Sequence, residues 1–124
     1  MTEYFPIVFG DDAKKIILDS LCWLKTVRFR NQSDKDNRIM RTQCSNVINY
    51  IRSGSSQYTL KKLEMILTAL GLAHRTFRCD AAAYQAFAEE FCISAARSAY
   101  IRTLAALYHD IQAYLIDQGF QSDI

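Results

Sequence analysis

The stretch SNVINYIRSGSSQYTLKKLEMILTALGL, residues 45–72, decides the fold because it holds two helical patterns separated by a glycine. Gly54 can adopt the left-handed conformation that ends a helix, and Thr59 can cap the helix that follows. Beyond Thr59, leucine and isoleucine recur every three or four residues until Gly71. This spacing predicts an amphipathic helix that ends at Gly71. The stretch therefore predicts two helices joined by a short polar turn.

The helical period continues on the N-terminal side of this stretch. After Gly10, two aspartates precede a run of apolar residues at helical spacing, which predicts a first helix. Ser33, with an aspartate three residues on, predicts the cap of a helix that begins near Asp34. From there the apolar face runs to Gly54, and two structures fit it equally: one continuous helix, or a short helix, a turn near 41–43 and a second helix.

The C-terminal side predicts the longest helical region. Asp80 can cap it, alanine is abundant, and no glycine or proline intervenes before Gly119. A break near residues 92–94 is compatible with the pattern, and a strand is compatible only with residues 5–9. The sequence therefore predicts an all-α fold, a compact helical domain of four to five helices with a long C-terminal helical region.

The overall composition is that of a globular protein. Half of the 124 residues are apolar and 23% are charged, without the long uncharged run that a membrane span requires. Glu3 stands where a signal peptide needs basic residues, and Pro6 and Gly10 interrupt the apolar run that follows. We therefore expect a cytoplasmic protein that does not insert into a membrane.

Neither metal binding nor catalysis is indicated. The four cysteines form no C-x-x-C pair, and the two histidines are distant from them in sequence, so we predict no metal site and no cofactor. The even cysteine count permits two disulfides, but Cys22, Cys44 and Cys92 lie in helical apolar patterns, which favours reduced, buried thiols. His109 adjoins Asp110, but neighbouring helix residues point in different directions and no nucleophile motif accompanies them, so we predict no catalytic residues and no enzyme.

Charge is distributed unevenly along the chain. Up to Cys79 there are thirteen Lys or Arg against seven Asp or Glu, whereas from Asp80 onward there are two against six. A basic N-terminal part and an acidic C-terminal part are compatible with a nucleic-acid surface followed by a self-association or partner-binding arm. Charge alone favours the simpler interpretation that both are solvated faces of one helical bundle.

Residues 45–72 resemble the distal half of the helix-turn-helix of the phage-repressor type, the Xre-like family. The shared features are an apolar and polar helix that ends at Gly54, a small polar loop, a helix that starts with Thr59 and Leu60, and a Leu-Gly ending at Gly71. The resemblance covers about a quarter of the chain. It implies a helix-turn-helix DNA-binding domain.

The preceding half departs from the family pattern. Asn37 and Arg38 stand where the family has a Leu-Ala pair, and Arg41 and Gln43 stand where it has two further apolar residues. A helix two of the family type would need a shifted register. If residues 34–53 form one straight helix, the tight turn of the motif is missing.

The resemblance implies a dimeric transcriptional regulator of phage or prophage type that binds paired half-sites of an operator in double-stranded DNA. The helix that ends at Gly54 would be the recognition helix, starting around residues 42–45. Its exposed polar residues would contact bases, namely Gln43, Ser45, Asn46, Asn49 and Arg52. Residues around the helix ends and the following loop would contact phosphates, namely Arg38, Arg41, Ser56, Gln57 and Lys61. The aromatic stripe near the C-terminus would form the homodimer interface, namely Tyr100, Leu104, Leu107, Tyr108, Ile111 and Tyr114.

Two simpler interpretations compete with this one. The polar residues of the implied recognition helix fit the solvated face of any amphipathic helix, and the C-terminal stripe can pack on its own domain. The chain also fits a small helical protein-interaction module, such as an immunity, anti-defence or adaptor protein, that binds a partner protein through its tyrosine-rich C-terminal helices. We predict a helix-turn-helix-like domain over 1–79 and a helical dimerisation or packing arm over 80–124, unless the two form one domain.

Overall fold

The computed structural model describes residues 3–120, which form five helices and a small sheet. The helices are α1 (Asp11–Leu24), α2 (Asp34–Arg52), α3 (Leu60–Cys79), α4 (Ala81–Glu90) and α5 (Arg97–Asp117). Two three-residue strands, β1 (Tyr4–Pro6) and β2 (Gln57–Thr59), pair in antiparallel orientation. The prediction of a mainly helical fold with four to five helices and a long C-terminal helical region is confirmed.

The chain divides into two compact units between Ile66 and Leu67, inside α3. The N-terminal unit holds β1, α1, α2, β2 and the first part of α3. The C-terminal unit holds the rest of α3 together with α4 and α5. The division falls earlier along the chain than the boundary that we predicted after Cys79.

The core of the N-terminal unit forms where α1 and α2 pack together and where the two strands pair. In the sheet, Phe5 pairs with Tyr58, and both side chains are buried while their strand neighbours Tyr4, Pro6 and Gln57 are exposed. This alternation follows from the two-residue period of a strand. The remaining buried apolar residues of this unit are Ile17, Leu21, Leu24, Cys44, Val47, Ile48, Ile51, Leu63 and Ile66.

Most helix ends lie where the sequence predicts them. The Ser33 and Thr59 hydroxyl oxygens each accept a hydrogen bond from the backbone N–H three residues on, at 3.1 and 3.3 Å. The Asp80 carboxylate does the same at 3.1 Å and caps α4. Gly54 follows α2 with a φ of +82°, a conformation that costs other L-residues about 1–2 kcal/mol. These caps supply partners for backbone groups that a helix end would otherwise leave unpaired.

Gly71 lies inside α3, and the prediction that it ends this helix is wrong. Its φ is not positive, unlike that of Gly54. The ring of Tyr108 in α5 packs over it, so that a Cβ added at Gly71 would lie 3.4 Å from Tyr108 Cε2. Glycine at this position therefore permits close packing and does not terminate the helix.

Aromatic rings form the core of the C-terminal unit. Phe77 of α3 lies 4.6 Å from Phe87 of α4, and Phe87 lies 5.5 Å from Tyr100 of α5, measured between ring centroids. Tyr84 lies 5.7 Å from Tyr100, and its hydroxyl donates a hydrogen bond to the Ala95 carbonyl at 2.5 Å. One cluster thus joins three helices, in the offset and tilted arrangements that aromatic pairs favour.

The end of α4 corrects another sequence interpretation. The helical region breaks after Glu90, as the possible break near residues 92–94 anticipated, and α5 begins at Arg97. Cys92 adopts a φ of +56° in this connection and is exposed, so its prediction as a buried thiol is wrong. The left-handed residue turns the chain out of the helix, which removes Cys92 from the apolar face. Cys44 is buried as expected, and all four cysteines are free.

The Arg97 guanidinium holds the start of α5 against the end of α3. Its Nε donates to the Phe77 carbonyl at 2.9 Å, and one of its terminal nitrogens donates to the Arg78 carbonyl at 2.8 Å. Carbonyls in the last turn of a helix lack partners within the helix and carry partial negative charge. A cation at this position satisfies them and stabilises the helix end.

Candidate nucleic-acid interface

The helix α2 is continuous from Asp34 to Arg52, which settles the alternative that the sequence left open. No turn interrupts residues 41–43. The tight turn of a helix-turn-helix is therefore absent from this segment, and α2 lies against α1 as a single helix of 19 residues. At 1.5 Å per residue its length is about 28 Å.

Asn37, near the start of α2, is a buried polar residue with backbone partners. Its side chain is only 3% exposed, and its amide nitrogen donates to the Phe29 carbonyl at 3.2 Å. Its side-chain oxygen accepts from the Phe29 N–H, also at 3.2 Å. A buried amide that pairs with both backbone groups of one residue fixes the loop that connects α1 to α2. An apolar residue at this position could not form these bonds.

The exposed face of α2 carries a continuous stripe of polar and cationic side chains. Arg38, Thr42, Ser45, Asn49 and Arg52 recur at steps of four, three, four and three residues, which keeps them on one side of the helix. All are exposed except Ser45, which is half-buried. Thr42 was not among the predicted contacts, although the helical step alone places it between Arg38 and Ser45.

The other two residues predicted to contact bases lie beside this stripe. Gln43 and Asn46 line a cavity of about 210 Å³ together with Lys61 and Lys62 at the start of α3. Asn46 is exposed and Gln43 is half-buried. The structure thus places amides of α2 next to the lysines of α3.

Lys62 was not among the predicted contacts. Its ammonium group lies 4.8 Å from the centroid of the Tyr50 ring, a cation–π arrangement that positions the side chain. The Tyr50 hydroxyl also donates to the Gln57 carbonyl, so the same tyrosine holds β2 near α2. The sequence could have indicated this residue, because Lys62 directly follows the predicted phosphate contact Lys61.

The remaining predicted phosphate contacts are all exposed. Arg38 and Arg41 line a second cavity, of about 270 Å³, in which Arg28 forms an ion pair with Asp34 at 2.5 Å. The Ser56 side chain lies in the loop after α2, and that of Gln57 lies on β2. The cations of this region are therefore arranged at both ends of α2 and at the start of α3.

No Asp or Glu occurs between Asn37 and Leu63, whereas five cations do. They are Arg38, Arg41, Arg52, Lys61 and Lys62, of which all but the half-buried Lys62 are exposed. Asp34, the carboxylate that lines a cavity with Arg38 and Arg41, is paired with Arg28. An excess of cations over carboxylates gives a surface a positive potential, which attracts polyanions. The acidic residues of the unit that flank this segment are Asp34, Asp36 and Glu64.

The predicted dimer stripe in α5 is only partly available. Tyr100, Leu104 and Ile111 are buried in the folded chain, and Tyr100 belongs to the aromatic core. They present no surface to a second copy, because the stripe that the sequence marks as apolar packs on its own chain. Leu107, Tyr108 and Tyr114 are half-buried. A homodimer stays a prediction, and these three are the residues of the predicted stripe that a second copy could still reach.

Burial raises the pKa of the Cys44 thiol to about 11, and the positive charge of Lys25 offsets only part of this effect. The thiol is therefore protonated at neutral pH, and a protonated thiol is a poor nucleophile.

Within residues 3–120, no three His, Cys, Asp or Glu side chains cluster in a way that could hold a metal ion. None of the helices described here is long and apolar enough to cross a membrane.

Comparisons of the chain with models of protein families, with curated proteins and with solved structures found no match. The resemblance of residues 45–72 to helix-turn-helix proteins therefore stays a prediction. The functional proposal rests on the surface chemistry of the N-terminal unit.

Proposed function

We propose that this chain binds double-stranded DNA through the exposed face of α2 and the start of α3. The observation that carries this proposal is the segment between Asn37 and Leu63, which holds five cations and no Asp or Glu. Phosphate contacts by Lys and Arg dominate the affinity of proteins for DNA, and nearby carboxylates would oppose them. No other segment of comparable length in the N-terminal unit combines cations with a complete absence of acids.

The proposed contacts fall into two groups. The cations Arg38, Arg41, Arg52, Lys61 and Lys62 bind phosphates and set the position of the protein on the duplex. The amides of Gln43, Asn46 and Asn49 and the hydroxyl of Ser45 carry donors and acceptors for base edges, with adenine as the preferred partner of an Asn or Gln amide. Ser56 and Gln57 supply further hydrogen bonds to the backbone.

The mode of binding differs from that of a helix-turn-helix. In that motif a short recognition helix is held across a tight turn by the preceding helix. Here α2 is a single long helix that packs against α1. The major groove is about 12 Å wide and admits one α-helix, so the exposed face of α2 is the part of this unit that would enter it.

The regulatory role rests on the resemblance. The resemblance implies a homodimer that binds paired half-sites. It also implies a transcriptional regulator that acts in the cytoplasm by occupying an operator. The half-buried residues Leu107, Tyr108 and Tyr114 are the candidates for the dimer contact. A protein-interaction module remains the competing function.

The proposal is tested by selecting bound sequences from a random duplex library with the purified protein at low salt. We expect an enriched site for the wild-type chain. The double variant Asn46→Ala, Asn49→Ala should lose the enrichment while it keeps weak binding to any duplex, because its phosphate-contacting cations are intact.

The matched control is Gln85→Ala together with Gln112→Ala, which removes two amides from the C-terminal unit. This control should enrich the same site as the wild type. If no duplex is retained at low salt, the DNA-binding proposal is wrong. That result would favour the competing function, binding of a partner protein through the C-terminal helices.

A further inference from the structure

The C-terminal unit contains a cavity that the proposed DNA-binding surface does not use. It has a volume of about 330 Å³ and lies between the second half of α3 and the middle of α5. Two of its lining residues, Gly71 and Ala105, are small. Its volume is at the lower end of the range for small-molecule pockets.

The polar lining of this cavity consists of cations and aromatic donors. His74, Arg75 and Arg78 lie within a little over one turn of α3, and Tyr108 and His109 face them from α5. No carboxylate lines it. Within residues 3–120, neither the Arg75 nor the Arg78 side chain forms an ion pair.

This concentration of positive charge stands out against the rest of the unit. From Leu67 onward the chain has four Lys or Arg against six Asp or Glu. Two of these four cations line the cavity, and a third, Arg97, is bound to backbone carbonyls at the end of α3. Cations are therefore gathered at one concave place in an otherwise acidic unit, where an anion can approach them from the open side.

His74 lies among the positive charges of this cavity. The pKa of His74 is lowered, first by burial and then by the positive charges of Arg78 and His109. Such repulsion between neighbouring cations is relieved when an anion binds among them. Arginine is suited to this role because its planar guanidinium can donate two parallel hydrogen bonds to one phosphate.

We propose that this cavity binds a phosphomonoester of the size of a nucleoside monophosphate. Arg75 and Arg78 bind the phosphate oxygens, and His74 and His109 donate further hydrogen bonds to them. The Tyr108 and His109 rings, which lie edge to face with centroids 6.0 Å apart, offer an aromatic surface to the organic part of the ligand. The site is separate from the proposed DNA contacts, so it adds a small-molecule ligand to the protein.

The test is a titration of the wild-type protein with AMP, followed through the NMR signals of the two histidine rings. Adenosine serves as the control that lacks the phosphate. We expect saturable shifts of both rings with AMP and none with adenosine. An absence of saturable shifts with AMP, or equal shifts with adenosine, would overturn the proposal.

Two variants separate the charge of the site from its shape. The double variant Arg75→Gln, Arg78→Gln should weaken AMP binding by about 100-fold, because each lost charged hydrogen bond is worth about 1.5 kcal/mol or more. The variant Ala105→Leu keeps every cation but fills the cavity, and it should weaken binding at least as clearly. Arg102→Gln, which removes an exposed arginine of α5 outside the cavity, should bind AMP as the wild type does.

Circular dichroism establishes that each variant is folded before its affinity is compared. If the double variant is unfolded, Ala105→Leu decides the question alone. AMP affinity that is unchanged in a folded double variant, or in folded Ala105→Leu, would place the ligand elsewhere and overturn the proposal.

Discussion

Substitution of Asn37 by alanine tests the structural basis of α2 most sharply. The side chain is 3% exposed and forms two hydrogen bonds of 3.2 Å with the backbone of Phe29. Alanine removes both bonds and leaves the Phe29 N–H and carbonyl without these partners. The loop between α1 and α2 loses the contact that fixes it to the helix.

The size of the effect follows from those two bonds. Each contributes about 0.5–1.5 kcal/mol net to the free energy of unfolding, so their loss costs about 1–3 kcal/mol. Replacing Asn by Ala inside a helix also returns up to about 0.7 kcal/mol through helix propensity. The matched variant Asn49→Ala gains the same propensity at an exposed position of the same helix. The difference between the two variants therefore isolates the buried bonds.

Urea unfolding followed by circular dichroism gives the free energy of each variant. We expect Asn37→Ala to be less stable than Asn49→Ala by about 1–3 kcal/mol. A difference below about 0.5 kcal/mol, the range of ordinary surface substitutions, would refute the inferred role of Asn37. It would mean that the loop is held by other contacts.

Three further outcomes are expected. Gly71→Ala should raise the free energy of unfolding by about 0.5–1 kcal/mol, because glycine is a poor helix former and the added Cβ would meet Tyr108 at a tolerable 3.4 Å; urea unfolding measures it. Gly54→Ala should lower the same free energy by about 1–2 kcal/mol, because its φ of +82° is unfavourable for alanine; an unchanged midpoint would contradict this. The pKa of His74 is lowered by burial and by Arg78 and His109, so protonation favours the unfolded chain, and the stability present above the ordinary pKa of 6.5 is lost as pH falls below it. In thermal melts, His74→Gln should therefore lose less stability than the wild type between about pH 7 and pH 5; equal losses would argue against this cause.

Local capping chemistry was predictable because it depends on a few neighbouring residues. Ser33, Thr59 and Asp80 cap their helices through bonds to backbone groups three residues on. α2 ends just before Gly54 because glycine readily adopts the left-handed conformation found there, which is unfavourable for a residue with a Cβ. These features depend only on residues close together in the sequence, so they can be predicted without knowledge of distant contacts.

Features that depend on tertiary packing could not be predicted in the same way. Gly71 and Gly54 are both glycines, but Gly71 lies inside α3, where the ring of Tyr108 packs over it. The strand β2 has only three residues, which is too short for a periodic signal. It forms because Tyr58 is buried opposite Phe5.

The candidate sites show the same limit. A helical repeat of apolar residues in α5 predicts a buried face but does not say what buries it. Tyr100, Leu104 and Ile111 are covered by their own chain and not by a second copy. The sequence also could not predict that α2 is continuous, because residues 41–43 fit both a helix and a turn.

The salt dependence of duplex binding tests the central claim most directly. Fluorescence anisotropy with a short labelled duplex gives the slope of the logarithm of affinity against that of salt concentration. Five cations on the proposed surface limit this slope to about −4.5, and Arg38→Gln should reduce its magnitude by about 1, whereas Arg102→Gln should leave it unchanged. A duplex that is not bound at low salt, or a slope that responds equally to both variants, would contradict DNA binding through α2.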